Sequence, residues 1–130
     1  SLYPEINLSR QLMFAIKEDE WGNIWIGRDG SDGLFVYYPG KLKFKFLRAP
    51  AEYFNLIYSL AVTPDGIVYA SHFQKGINLF NKEGVWKKHI PLPPVENDLS
   101  PSIRTINFFN SKQLLLKSLY GKLMILDLNT

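Results

Sequence analysis

The sequence predicts an all-β fold made of repeated antiparallel sheets, and three observations support this. Apolar and polar residues alternate in short runs, as they do in strands with one buried face. Gly, Pro, Asp and Asn separate these runs, which is typical of hairpin turns. Similar segments recur at offsets of 43 to 46 residues along the 130-residue chain. That spacing is the repeat length of a β-propeller blade.

The first repeat contains four predicted strands, at residues 13–16, 24–27, 33–38 and 43–47. Turns are expected at residues 19–23 and at Pro39-Gly40, because Pro restricts φ and Gly accepts positive φ. In the last strand, lysines alternate with apolar residues from Lys41 to Phe46. This alternation predicts one strand with a solvated face and a buried face.

The second repeat follows the same order, with strands predicted at residues 57–60, 67–71, 76–81 and 85–90. Its turns contain Pro64-Asp65-Gly66 and Lys82-Glu83-Gly84. The third repeat has strands at residues 103–106, 114–117 and 122–127 and no fourth strand. Equivalent positions in the three repeats carry Trp25, Tyr69 and Leu115, which we expect to pack between blades.

The predicted organisation is three consecutive four-stranded blades, at residues 11–47, 55–90 and 102–130, of which the third is incomplete. Residues 1–10 could supply an outer strand of a neighbouring blade. Because a propeller ring closes with about 4 to 8 blades, three blades leave two sheet faces bare. We therefore expect a fragment of a larger propeller that packs against the remaining blades of its parent chain and tends to self-associate. Two copies forming a six-bladed ring and an unclosed three-blade stack are the alternatives.

The composition excludes several classes of protein. Hydrophobic residues make up 46% of the chain, enough for a packed core, but charged residues interrupt every apolar run well before membrane-spanning length. The net charge of +3 comes from scattered lysines without a nucleic-acid motif, so neither membrane contact nor nucleic-acid binding is expected. The lack of cysteine excludes disulfides and thiolate metal sites.

The first repeat resembles the two-component-regulator propeller repeat. The similarity lies in Asp19, the Gly22-Asn23 turn, Ile24-Trp25-Ile26-Gly27 and Gly33-Leu34. Arg28 stands where that family has Thr, and the second and third repeats keep only the outline. The resemblance implies the periplasmic, glycan-responsive sensor region of a Bacteroides-type hybrid two-component system, with any histidine kinase elsewhere in the parent chain.

No catalytic site, metal site or cofactor is predicted. The aspartates at positions 19, 29, 32 and 65 fit self-capping turns better than a calcium loop, and the two histidines, His72 and His89, lie in different contexts. Propeller ligands usually contact the loops after the second strands. We predict an oligosaccharide site there that contains the following residues: Arg28, His72, Phe73, Gln74 and Tyr120.

Two other functions stay open at this stage. The first alternative is a protein-interaction scaffold, which would need an apolar or charged patch on the rim. The second is a fragment of an enzyme resembling streptogramin lyase, in which His72 would be the catalytic candidate on a loop.

Overall fold

A computed structural model describes residues 13–28, 33–92, 102–118 and 121–128. The first sheet has the order β1 (Met13–Glu18), β2 (Ile24–Arg28), β3 (Leu34–Tyr38) and β4 (Lys43–Phe46). The second has β5 (Ile57–Val62), β6 (Val68–His72), β7 (Gly76–Phe80) and β8 (Trp86–Ile90). The third has β9 (Ile103–Asn110), β10 (Gln113–Ser118) and β11 (Leu123–Asp127). None of the described residues belongs to a helix that could cross a membrane.

All strand pairs within the sheets are antiparallel, which confirms the predicted propeller blades. Contacts between sheets are made mainly by their first strands, since β5 contacts both β1 and β9. The limits of the blades as domains stay a prediction, and the outer strand proposed for residues 1–10 lies outside the described residues.

Four of the hairpin turns share one hydrogen-bonding design. In each, the amide of a glycine donates to the carbonyl of the residue three positions earlier, at 2.9–3.1 Å. The amide of that earlier residue also donates a hydrogen bond, to the carbonyl of the residue after the glycine, at 2.8–3.0 Å. The glycines have φ between +77° and +90°, which favours Gly at this place. The paired residues are Asp19 and Gly22, Thr63 and Gly66, Asn81 and Gly84, and Ser118 and Gly121.

The side chain of the first turn residue also accepts hydrogen bonds from the turn. Asp19 is the most connected: Oδ1 accepts from the amides of Trp21 and Asn23, and Oδ2 accepts from Asn23 Nδ2 and Trp25 Nε1. Burial acts to raise the pKa of Asp19, but these bonds outweigh it and hold the pKa below its ordinary value. The buried carboxylate thus joins the turn to the core tryptophan.

The middle blade buries both of its faces. One face packs Leu60, Val68, Ala70 and Phe80 against Trp25 and its neighbours in the first blade. The opposite face packs Ala61, Tyr69, Ile77 and Leu79 against the third blade. The predicted core roles of Trp25 and Tyr69 are confirmed. Leu115 is only half-buried, because no described residue packs over that face of the third blade.

Small residues allow neighbouring blades to approach closely at one row of the sheet. A Cβ on Gly27 would lie 2.6 Å from Cγ2 of Ile57 in the next blade. Ser71 occupies the same row in the middle blade, where its Oγ donates to the carbonyl of Ile103 at 2.8 Å. Lys117 takes this position in the third blade and is exposed.

The alternation of lysines with apolar residues from Lys41 to Phe46 begins before the strand itself, which starts at Lys43 as predicted. Pro39, Gly40 and Lys41 form a 3-10 turn, so β4 begins only at Lys43. Leu42 ends that turn with a φ of +46° and is 57% exposed, so it does not join the buried face. Phe46 is also exposed, at 46%, so the buried-face prediction is wrong for both Leu42 and Phe46.

Candidate functional site

The first strand of each blade contains a β-bulge at the same place. Register shifts leave Phe14, Tyr58 and Arg104 as the extra residues opposite the second strands. A bulge bends the strand locally and redirects the side chain of the extra residue. The bulges lie at the edge of the blades that also carries the connections between second and third strands. The side chain of Phe14 is outside the described part of the structure.

Two of the bulged residues meet each other between the second and third blades. The Arg104 guanidinium carbon lies 5.6 Å from the centroid of the Tyr58 ring, within cation–π range. The Phe73 ring stands edge-on to Tyr58, with centroids 6.3 Å apart and an interplanar angle of 76°. Phe73 is 37% exposed and Arg104 is exposed. Aromatic faces beside a guanidinium can stack on a sugar ring and donate to its oxygens.

The turn that carries Phe73 and Gln74 is fixed by hydrogen bonds to both sides. The amide of Phe73 donates to the Leu56 carbonyl at 3.0 Å, and the amide of Gln74 donates to Ser102 Oγ at 3.1 Å. Asn55 Nδ2 donates to the Phe73 carbonyl at 2.6 Å. Gln74 has a φ of +56°, an uncommon conformation for a residue other than glycine. These bonds hold the turn in one shape beside Tyr58 and Arg104.

His72 lies below this surface and not on it. Sequence placed it at the start of a loop, but it is the last residue of β6, paired with Ile57, and is fully buried. Its Nδ1 lies 3.1 Å from the Asn55 carbonyl, whereas Nε2 has no hydrogen-bond partner among the described residues. Burial lowers the pKa of His72 to about 4, the hydrogen bond to the Asn55 backbone opposes this, and His89 lowers the pKa further. The imidazole is therefore neutral at pH 7.

The five residues of the predicted ligand site have different positions. His72, Phe73 and Gln74 are consecutive, and only Phe73 and Gln74 are exposed. Arg28 ends β2, with its side chain outside what the structure describes, and Tyr120 lies outside the described residues. Ligand contact by these five residues stays a prediction.

Sequence reasoning missed Tyr58 and Arg104, although a signal for them exists. Ile57 and Leu60 are both buried although three positions apart, and so are Ile103 and Ile106. Strict alternation would place such pairs on opposite faces. A spacing of three within a predicted strand therefore indicates a bulge between the two apolar residues.

The described residues contain no group of three or more His, Cys, Asp or Glu side chains that could hold a metal ion. The calcium-loop alternative at Asp29 and Asp32 falls on residues outside those that the structure describes. Among the described residues of the bulged edge, Tyr58, Phe73 and Arg104 offer stacking, cation–π contact and hydrogen bonding.

No protein-family model and no curated protein matches the chain. Solved structures do. The chain superposes on the extracellular domain assigned to a hybrid two-component system of B. thetaiotaomicron with a TM-score of 0.67 and 19% identity, covering 100% of this chain and 16% of that one. A second similar structure is PorZ, a surface component of the type-IX secretion system of Porphyromonas gingivalis. The superposition has a TM-score of 0.60 and 16% sequence identity, and it covers 88% of this chain and 17% of PorZ.

A third similar structure is an enzyme. A catalytically inactive variant of virginiamycin B lyase from Staphylococcus aureus, with quinupristin, has a TM-score of 0.62 and 17% identity over 98% of this chain and 45% of the lyase. The chain therefore spans less than half the length of each of these three proteins. These comparisons show that its blades share their fold with an extracellular domain of a Bacteroides hybrid two-component system, a secretion-system surface protein and a propeller lyase.

Proposed function

We propose that the chain is part of the extracytoplasmic propeller of a hybrid two-component sensor, located in the periplasm, and that it responds to an oligosaccharide. The observation that carries the proposal is the cluster of Tyr58, Phe73 and Arg104 at the bulged edge. The resemblance of the first repeat and the fold shared with the two-component extracellular domain support the same function.

The cluster has features expected for a sugar subsite. Tyr58 is half-buried, so its orientation is restrained, while Phe73 and Arg104 remain accessible. The turn of Phe73 and Gln74 is already held by Asn55 and Ser102, so little conformational entropy is lost when a ligand binds. A guanidinium can donate two parallel hydrogen bonds to sugar oxygens or to a uronate carboxylate.

The lyase alternative has less support. A catalytic histidine has to reach its substrate, whereas the His72 ring is fully buried and its Nδ1 faces the Asn55 carbonyl. An interaction scaffold would need an exposed patch, and Leu123 and Ile125 are exposed apolar residues on the outward face of the third blade. We propose that this face mediates self-association of the chain.

Ligand binding can be tested by thermal shift with defined di- to hexasaccharides from β-glucan, pectin and chondroitin as probes. We expect at least one probe to raise the melting temperature of the chain. Arg104→Ala should remove the shift, because it deletes the guanidinium without altering the core. Lys112→Ala is the matched control, since it removes one positive charge at the opposite edge of the third blade. An unchanged shift in Arg104→Ala would contradict the proposed site.

A further inference from the structure

A groove of about 460 Å³ lies between the first and second blades, at the edge opposite Phe73 and Gln74. Its walls come from three turns: the one between β1 and β2, the one between β3 and β4, and the one between β7 and β8. We call it the lysine groove, and its main lining residues are Trp21, Tyr38, Lys41, Lys43, Lys45 and Lys82. Its volume falls within the range of about 300–1,000 Å³ that is typical of small-molecule sites.

Glycines in the second blade allow this groove to form. A Cβ on Gly66 would lie 2.7 Å from Cζ3 of Trp21 and 2.7 Å from Cβ of Lys82. A Cβ on Gly84 would overlap the side chain of the buried Leu47. The turns of the second blade therefore come into direct contact with the first blade, and Trp21 keeps a defined position although 52% of it is exposed.

Several of the amines are held in place by the groove itself. Lys82 Nζ lies 5.1 Å from the ring centroid of Trp21, and Lys41 Nζ lies 5.7 Å from that of Tyr38. Lys45 Nζ donates to the Glu83 carbonyl at 2.7 Å. These contacts limit the freedom of long side chains that would otherwise lose entropy on binding a ligand.

The groove has an excess of positive charge. Four lysine amines line it, against the single carboxylate of Glu83. Negative groups would be attracted to the amines, and a planar or flat-faced ring could rest on the exposed part of Trp21. Neutral ligands would gain only the second of these interactions.

We propose that the lysine groove binds a small polyanion built on a ring, meaning a molecule with two or more carboxylate, sulfate or phosphate groups beside a ring that can stack on Trp21. This site is separate from the sugar subsite of the proposed function, because the two lie at opposite edges of the blades. An experiment that contradicts one of these two proposals therefore leaves the other standing.

The proposal can be tested by calorimetric titration of the 130-residue chain carrying Arg104→Ala, in which the sugar subsite of the proposed function is disabled. The anionic probes are a sulfated disaccharide, digalacturonate and ADP, which distinguish sulfate, carboxylate and phosphate sources. Cellobiose is the neutral probe. We expect at least one anionic probe to bind, with an affinity that falls as salt is added, and cellobiose to bind much more weakly. Binding by cellobiose as strong as by the anions, or by none of the probes, would overturn the proposal.

Variants assign the binding to the groove. Lys41→Gln combined with Lys82→Gln should lower the affinity for the anion at least about ten-fold, because two charge-assisted contacts are lost. Trp21→Ala should also weaken it, and Lys112→Gln, with the same charge change outside the groove, should not. The single variant Lys82→Gln, at an exposed position, serves if the double variant is unstable. Equal affinity in the double variant and Lys112→Gln would overturn the assignment.

Discussion

At the scale of single residues, two buried titratable side chains respond to acid in different pH ranges. Asp19 is held ionised by four hydrogen bonds, so its pKa is below the ordinary value. Its contribution to stability is present at neutral pH and is lost only as the pH falls below about 4. His72 is held neutral by burial, with a pKa of about 4 in the folded chain against an ordinary 6.5.

We expect His72 to make the folded chain less stable in mild acid. Between pH 6.5 and 4 the unfolded chain binds a proton on His72 that the folded chain does not, so the free energy of unfolding falls as the pH drops. The loss between about pH 7.5 and pH 4.5 should be roughly 2–3 kcal/mol. Urea unfolding of the wild type and of His72→Gln at both pH values measures it.

The variant should be less stable overall but should show a flatter pH dependence over this range. Asp19 does not confuse the comparison, since its contribution is lost at lower pH. An equal fall in the free energy of unfolding for both proteins would show that His72 is not the group responsible.

At the scale of elements, the repeated turns separate two costs of replacing a glycine. Gly76 and Gly121 have similar φ values, +79° and +85°. A Cβ on Gly121 would meet nothing within 4 Å, whereas one on Gly76 would overlap the Ile90 carbonyl and approach His89 Nε2 to 3.1 Å. The pair therefore differs in packing and not in backbone strain.

We expect Gly121→Ala to lower the free energy of unfolding by about 1–2 kcal/mol, the cost of a left-handed backbone for alanine. Gly76→Ala should cost roughly 1–3 kcal/mol more, because the Ile90 backbone has to move. Urea unfolding of both variants against the wild type measures the difference. An equal decrease in the free energy of unfolding for the two variants would mean that the backbone of β8 moves at Ile90 at little cost.

The strands and their turns could be predicted from the sequence because both depend on local signals. Alternation and turn residues placed every strand of the two complete blades to within two residues at each end. The features that could not be predicted depend on contacts between residues far apart in the sequence. His72 becomes part of a strand because it pairs with Ile57, and the lysine groove exists only because turns of two blades meet. The alternation around Lys41, Lys43 and Lys45 predicts only the solvated face of a strand, and no local pattern places Lys82 beside them.

At the scale of the whole molecule, the outward face of the third blade combines apolar residues with a charge. Leu123 and Ile125 are 68% and 54% exposed, and Lys117 lies between Leu123 and Thr105 on the same face. The preceding blades have Gly27 and Ser71 at the row of Lys117, under the first strand of the next blade. The lysine therefore opposes a contact that the apolar residues favour.

We expect the wild-type chain to form dimers at high concentration, and Lys117→Ser to lower the dimer dissociation constant several-fold by restoring a small residue at this row. Light scattering over a range of concentrations measures both constants. Lys112→Ser, in the turn between β9 and β10, is the control for loss of charge. A monomeric Lys117→Ser at all concentrations would contradict association through this face.

The row of small residues that contains Gly27 and Ser71 also affects how strongly the stack of blades curves. In the first blade the row runs from Ala15 through Gly27 to Leu34, and in the second from Ser59 through Ser71 to Ile77, so the residue on the third strand is larger than either of the other two. Each blade is therefore a wedge, thin where the first strands meet and thick farther out. Because the wedge angle depends on these volumes, substitutions in this one row could change how many blades are needed to complete a circle.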